Sequence, residues 1–208
     1  MARKWSNRNL PGALHFITGA VANRVQVFQE DSACKAFIDV VKTVKCEWPF
    51  KLVAYVLMPD HIHLILNPRD GRIRELMASL KSLSAKSVVS ACPSFDFRRA
   101  RPDGDGSIHQ VWQEGFKGLP LWSEWLIWQK INYIHSNPVK SRLAKSAESY
   151  RWSSFRSFYH DDQNPIAVDK EWWWPDDVRK LSVSAKEWSQ EMAEKALEKR
   201  RTDERGKG

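Results

Sequence analysis

Tyr55-Val56-Leu57-Met58-Pro59-Asp60-His61-Ile62-His63-Leu64-Ile65-Leu66 is the stretch that decides the fold: two apolar extended runs joined by a turn at Met58-Pro59-Asp60. The second run holds two histidines two residues apart. In a strand the side chains at i and i+2 leave the same face, so His61 and His63 can reach one small cation from a rigid floor. A lone histidine on an apolar strand is usually a packed core residue. Two on one face, with a single apolar residue between them, point instead to a metal site. The pair by itself names neither the metal nor the reaction.

Outward from this hairpin the chain reads β, α, β, β, α, β, α. Leu14 to Ala20 is a strand. Asp31 to Glu47 is a helix with Asp31 or Ser32 as N-cap and Phe37, Val40, Val41 and Val44 on one face. Phe50 to Leu57 is the second strand, and the third begins near His61. Arg72 to Ser90 is a second helix with Ile73, Leu76, Met77 and Leu80 inward; Arg74, Lys81 and Lys86 are expected on a solvated face. Ser94 to Ser107, with Arg98, Arg99, Arg101 and two glycines, reads as a flexible loop before a strand at Ile108 to Gln113. This order predicts an α+β fold on the split βαβ, or ferredoxin-like, plan: an antiparallel sheet with helices on one face.

Between Trp122 and Asn137 the apolar residues Ile127, Trp128, Ile131 and Ile134 recur at helical spacing, while Gln129, Lys130, Tyr133 and Asn137 are expected on the opposite side. Pro138 disfavours α geometry at Asn137, so the helix is expected to end there with the Asn137 side chain free. Its carbonyl oxygen could serve as a third ligand beside the histidines. The chemistry that uses a histidine pair, an amide oxygen and a tyrosine one helical turn away is phosphodiester cleavage, in which a cation polarises a phosphate and the phenol attacks it.

At these residues the chain resembles a known family. His61-Ile62-His63 looks like the HUH motif (His, hydrophobic, His), and Tyr133-Ile134-His135-Ser136-Asn137-Pro138-Val139-Lys140 is similar to the catalytic-tyrosine helix of the single-tyrosine (Y1) transposases of the IS200 type, most closely the REP-associated tyrosine transposases. Phe16-Ile17-Thr18 with Phe28, Val111-Trp112-Gln113, and Tyr150-Arg151-Trp152-Ser153-Ser154-Phe155 agree with it, so the resemblance covers about Leu14 to Tyr159. It departs at Phe116-Lys117-Gly118-Leu119, where the family commonly has an acidic residue and a histidine. Asp60 stands where Asn or Glu is common, and a change at a position preceding the ligands is expected to matter little. The resemblance implies an HUH endonuclease fold, with His61, His63 and Asn137 holding Mg²⁺ or Mn²⁺. Tyr133 would be the nucleophile that keeps a 5′ phosphate and releases a 3′ hydroxyl. The implied partner is single-stranded DNA or palindromic repeats folded as hairpins, in a prokaryotic cytoplasm at the nucleoid, with a homodimer as one assembly. Lys130 is a candidate to orient a phosphate, and Gln129, Lys140 and Arg142 are candidate DNA contacts.

Composition bounds the same answer independently. A chain of 208 residues with 42% hydrophobic content can bury one good core, alone or with an appendage. Residues 1–160 carry 23 Lys/Arg against 13 Asp/Glu, and residues 161–208 carry 10 against 12. The positive charge therefore belongs to the part with the motifs, and it suits a polyphosphate partner. The polar stretch from Asp161 to Pro165 marks the expected boundary between a catalytic domain, 1–160, and an extension, 161–208. In that extension Trp172-Trp173-Trp174 should pack, and Ser184 to Arg201 reads as an exposed helix. Most of the 11 tryptophans are expected in the core, though tryptophan can also stack single-stranded bases. Three scattered cysteines read as reduced thiols, and no run approaches the roughly 20 apolar residues of a membrane span.

Tyr55, Tyr150 and Tyr159 compete with Tyr133, and each reads first as packing. Two other functions stay open. One is a catalytically idle DNA-binding protein of the same fold. The other is a His-x-His metal-dependent hydrolase, disfavoured because Leu64-Ile65-Leu66 follows the pair and Tyr133 would have no task.

Overall fold

In a computed structural model the chain is described at residues 9–10, 12–100, 107–162 and 165–175. The elements are β1 (Leu14–Ala20), α1 (Asp31–Glu47), β2 (Phe50–Met58), β3 (His61–Pro68), α2 (Ile73–Ala91), a short hairpin of β4 (Arg98–Ala100) and β5 (Ser107–His109), β6 (Lys117–Leu121), α3 (Glu124–Lys140) and α4 (Phe155–His160). The four-stranded sheet has the order β2-β3-β1-β6, and each neighbouring pair is antiparallel. β3 lies between β1 and β2, and β1 between β3 and β6, so both strand-helix-strand units are split as expected.

The sheet is covered on both faces. α1 and α2 bury Phe37, Val41, Val44, Leu76, Met77 and Leu80 against Ile17, Leu57, Ile62, Leu64 and Leu66. α3 lies on the opposite face, where Ile127, Ile131 and Ile134 meet Leu14, Val56 and Ile65. A register shift in β2 between Leu52 and Ala54 lets this strand serve both layers. Leu52 and Tyr55 face α1 and α2, whereas Val53, Ala54 and Val56 face α3, which is the usual geometric effect of a bulge.

Several local expectations shift for identifiable reasons. The strand expected at Ile108 to Gln113 divides. Ser107–His109 pairs with Arg98–Ala100, while Trp112 bridges Val21 beyond the end of β1. β6 was invisible to pattern reading because Gly118 and Pro120 are poor strand formers; it is an edge strand, where a missing N–H is tolerated. α1 is capped by the backbone of Glu30 without a side-chain bond, and the Asp31 carboxylate instead accepts from the Trp152 indole at 2.9 Å. Lys81 is no mere solvated charge: its ammonium donates to the carbonyls of Gln113, at 2.5 Å, and Gly115. Arg101 and Ser184 to Arg201 lie outside the described residues. No helix among the described residues is long and apolar enough to cross a membrane, and the three cysteines are free.

Residues 165–175 return to the core. The Asp169 carboxylate accepts from the backbone N–H of Leu52 at 2.7 Å and from Lys45 at 2.6 Å. Ile166 is buried with α1 and α2, and Trp172 and Trp173 pack beside α3. Asn67, fully buried on β3, donates to the Trp172 carbonyl at 2.9 Å. A chain ending at His160 would expose these apolar surfaces and leave the Leu52 N–H without its carboxylate. Such a truncation should melt at least roughly 10 °C below one ending at Pro175, or lose a cooperative transition. Circular dichroism melts of the two truncations check this; equal melting would show that the returning segment contributes nothing.

Two buried histidines away from the strand pair set an acid limit. Burial pushes His15 down to about 4 against a hydrogen bond to the Leu10 backbone, and pushes His135 down to about 4. An unfolded histidine titrates near 6.5, so below that pH the unfolded chain takes up protons that the folded one refuses. The stability from each neutral ring is complete above about 6.5 and is lost as pH falls toward about 4, on the order of 2–3 kcal/mol per ring. His15→Gln removes one ring, so its melting temperature should fall by roughly 5–10 °C less than the parent's between neutral pH and pH about 4.5. Parallel pH–melting curves would refute this.

Candidate active site

β1 and β3 pair with Thr18 opposite His63 and Ala20 opposite His61, and both imidazoles leave the α3 face of the sheet. The two rings lie 4.8 Å apart between centroids, nearly perpendicular. Each is held through Nδ1. The Thr18 hydroxyl is 2.9 Å from His63 Nδ1, and the Asp60 carboxylate accepts from His61 Nδ1 at 2.6 Å. His63 Nε2 is buried with no hydrogen-bond partner. Fixing one nitrogen orients the other, the arrangement common behind metal-binding histidines. Asp60 therefore matters more than its place before the pair suggested. Burial would raise its carboxyl, but hydrogen bonding and charge from His61, with Arg24 at 3.1 Å, hold it below the usual carboxylate value.

His63 is pushed down to about 3, first by burial and then by the neighbouring His61; a hydrogen bond to the Ile17 backbone opposes this, and the Lys130 charge adds to it. The ring is consequently neutral in ordinary buffers and keeps a lone pair for a cation.

α3 brings the phenol. Ser123 caps the helix by accepting from the Leu126 N–H at 3.2 Å, and the three isoleucines seat it on the sheet. Tyr133 then stands with its ring 5.2 Å from that of His63, edge to face. Phe16 joins them, stacked on His63 at 5.3 Å and edge-on to Tyr133 at 5.8 Å. The Lys130 ammonium lies 5.0 Å from the Phe16 ring centre and 5.6 Å from that of Tyr133; the Lys140 ammonium is 5.9 Å from the latter. One chain thus supplies the histidines, the tyrosine and both flanking cations.

The rival tyrosines are placed elsewhere. Tyr55 is buried on the α1 and α2 side, and Tyr150 donates to the Leu57 carbonyl at 2.7 Å. Tyr159 is exposed beside His135, Phe155 and Phe158.

Three expectations about α3 are corrected. Trp128, expected inward, is 38% exposed, and Asn137, expected outward, is 9% exposed. The helix also runs through Pro138 to Lys140, because a proline this close to the end forfeits little while Asn137 and Pro138 are both buried. The Asn137 carbonyl still accepts from the Ser141 N–H at 2.9 Å, and its side-chain Nδ2 has no partner. Asn137 is one turn beyond Tyr133 on the buried side and is hydrogen-bonded to neither histidine. Gln129, Lys130, Tyr133 and Lys140 share an open groove of about 750 Å³. Arg142 follows the helix in a left-handed conformation, with φ 58°.

Sequence reading assigned no role to Phe16, Thr18 or Asp60, although the first two lie in a stretch it singled out. Phe16 and Thr18 meet His63 across strands, which only the register reveals, whereas Asp60 holds the ring of its own sequence neighbour, His61. Lys117 is similar: it stands opposite Thr18 on the other side from His63, so its exposed side chain belongs to the same face.

Among the described residues no three His, Cys, Asp or Glu side chains cluster to hold a metal. A cation at the pair would complete its shell from amide, phosphate or water oxygens. The neutral imidazole and unpartnered Nε2 of His63 fit that role; the unpartnered atom of Asn137 is its amide nitrogen, a donor, so that residue could join only through its side-chain oxygen.

The profile of the family described as "Transposase IS200 like" matches residues 12–120. A provisionally named REP-associated tyrosine transposase of Haemophilus influenzae is 25% identical over 163 residues, covering 77% of this chain and 88% of that protein. Among solved structures, a REP-associated tyrosine transposase bound to a REP hairpin matches with a TM-score of 0.59 at 20% identity, covering 82% of this chain and 96% of that one. At this identity the likeness is one of fold. The family match includes both histidines and ends before α3, so the case for Tyr133 rests on the tyrosine-helix motif and on the ring geometry.

Proposed function

Since the chain belongs to the IS200-like transposase family and is an enzyme of the Y1 type, we propose that it cuts and rejoins single-stranded or hairpin DNA through a covalent 5′-phosphotyrosine at Tyr133. The observation that carries this reading is the approach of the Tyr133 ring to within 5.2 Å of His63 in the same chain. A divalent cation, Mg²⁺ or Mn²⁺, held by His61, His63 and the Asn137 side-chain oxygen would withdraw charge from a non-bridging phosphate oxygen.

The chain's own residues do the rest. Lys130 and Lys140 draw the scissile phosphate to the phenol and offset the phosphate's negative charge. The Tyr133 oxygen gives its proton to solvent in the open groove and bonds to phosphorus. The bond from phosphorus to the 3′ oxygen breaks, and that oxygen takes up a proton to leave as a 3′ hydroxyl. The 5′ phosphate stays on the enzyme. Attack by a 3′ hydroxyl reverses the step and joins the strands, so neither water nor a nucleotide is consumed. Phe16 excludes water behind the phenol, while Gln129 and Arg142 contact the strand farther out. A fold-back DNA suits this reading, since the solved neighbour holds a REP hairpin.

Tyr133→Phe keeps the ring that packs on Phe16 and His63 but removes the attacking oxygen. It should abolish covalent attachment to labelled hairpin DNA on denaturing gels while binding stays within a few-fold. An adduct surviving in this variant would move the nucleophile elsewhere.

His63→Ala should lose cleavage, and so should the parent in chelator, with Mg²⁺ or Mn²⁺ restoring only the parent. Full cleavage by the parent in chelator would eliminate the metal from the mechanism.

A further inference from the structure

We propose that the outer face of α3 carries a base-stacking subsite, in which Trp125 receives an unpaired base of the strand whose phosphate lies at Tyr133. The inference rests on the strand-transfer reading for the identity of that strand, and on its own observations for the subsite. Trp125 is 70% exposed, the most exposed of the large apolar side chains among the described residues. Single exposed apolar residues are ordinary on protein surfaces. This one lines the same groove of about 750 Å³ as Tyr133, Lys130 and Lys140. Eight residues separate Trp125 from Tyr133, a rise of about 12 Å along the helix, which is the reach of a few nucleotides from the phosphate.

The rest of the lining suits the same occupant. Trp128 is fixed edge-on to Phe158 at 5.8 Å and to Trp172 at 5.3 Å, so it forms a rigid wall while its remaining face stays open. Gln129 and Asn132 place amide donors and acceptors between the indoles and the phenol, within the groove that a base edge would enter. The two lysines give the Tyr133 end the positive charge that a phosphodiester needs. An indole face stacks any base, an amide edge favours some over others, and cations hold the backbone; the three in one stripe match single-stranded nucleic acid better than a peptide or a small metabolite. Lys140 and Lys130 alone would make only a sequence-blind contact.

The test separates bases from charge. Two 20-nucleotide single strands of equal charge, oligothymidylate and a fully abasic sugar-phosphate chain, are titrated against the full-length protein in metal-free buffer, with fluorescence anisotropy as readout. The parent should bind oligothymidylate more tightly than the abasic strand. In Trp125→Ala that gap should shrink roughly 5- to 150-fold, the range for losing one stacked base, while binding of the abasic strand and its salt dependence stay as in the parent. Trp125→Phe should recover most of the gap. A gap of parental size in Trp125→Ala overturns the subsite, and so does a variant that merely dissociates a dimer in sedimentation, since the groove would then hold a second copy of the chain. Neither outcome touches Tyr133, whose adduct is scored separately; absence of an adduct with the Trp125 effect intact would sink the strand-transfer reading and leave the stacking site standing.

Discussion

Everything chemical in this protein depends on one packing contact, the seating of Ile127, Ile131 and Ile134 of α3 on the face of the sheet made by Leu14, Val56 and Ile65. Burying three isoleucines supplies several kcal/mol, and the helical repeat then leaves no freedom over where residue 133 goes. The phenol arrives beside Phe16 and His63 because they share that face with Leu14 and Ile65, each two residues away on the same strand. A second tie fixes the helix from the side. His135 Nε2 is 2.8 Å from the Ser154 hydroxyl, and that oxygen also accepts from the Tyr55 N–H at 2.9 Å. The helix and strand β2 thus share one buried hydrogen-bond junction, and Val56 bridges Ser153 next to it. The segment after the tyrosine helix works as a clamp.

Two of the buried polar atoms without a hydrogen-bond partner belong to the site residues. His63 Nε2 and Asn137 Nδ2 are buried without partners, at a cost of about 1–3 kcal/mol each when nothing fills them. The neutral state forced on His63 by burial removes the larger penalty of a buried charge. A core optimised for stability alone would place apolar residues at both positions. Comparable unpartnered atoms at His15, Tyr55, Asn67 and His135 lie elsewhere in the core, so what sets His63 apart is its place beside Tyr133 and the Lys130 charge.

The returning segment completes this balance from below. Asp169, a carboxylate inside a basic domain, ties the Leu52 N–H at the β2 bulge and Lys45 on α1, so the irregular point of the sheet is held by a residue more than a hundred positions away. Trp172 packs against Trp128, and Trp174 donates to the Asn67 carbonyl at 3.1 Å between Lys51 and Arg69. The charge divide near residue 161 is real in the sequence, yet the chain crosses it and packs back.

The sequence by itself determined what local periodicity controls. The same-face histidines, the bounds of β1 and α1, the split strand-helix order and the helix carrying Tyr133 all follow from the two- and 3.6-residue repeats, which act over one or two turns. Tertiary structure decided whatever depends on a neighbour distant along the chain. Asn137 turned inward, and Trp128 half outward, because the buried stripe of α3 is set by the sheet beneath it. β6 formed despite Gly118 and Pro120 because β1 offered an edge. Thr18 and Phe16 became partners of His63 through register alone. That the tyrosine and the histidines meet within one chain was also beyond the sequence, since spacing along the chain sets which face a side chain takes and packing sets what that face meets.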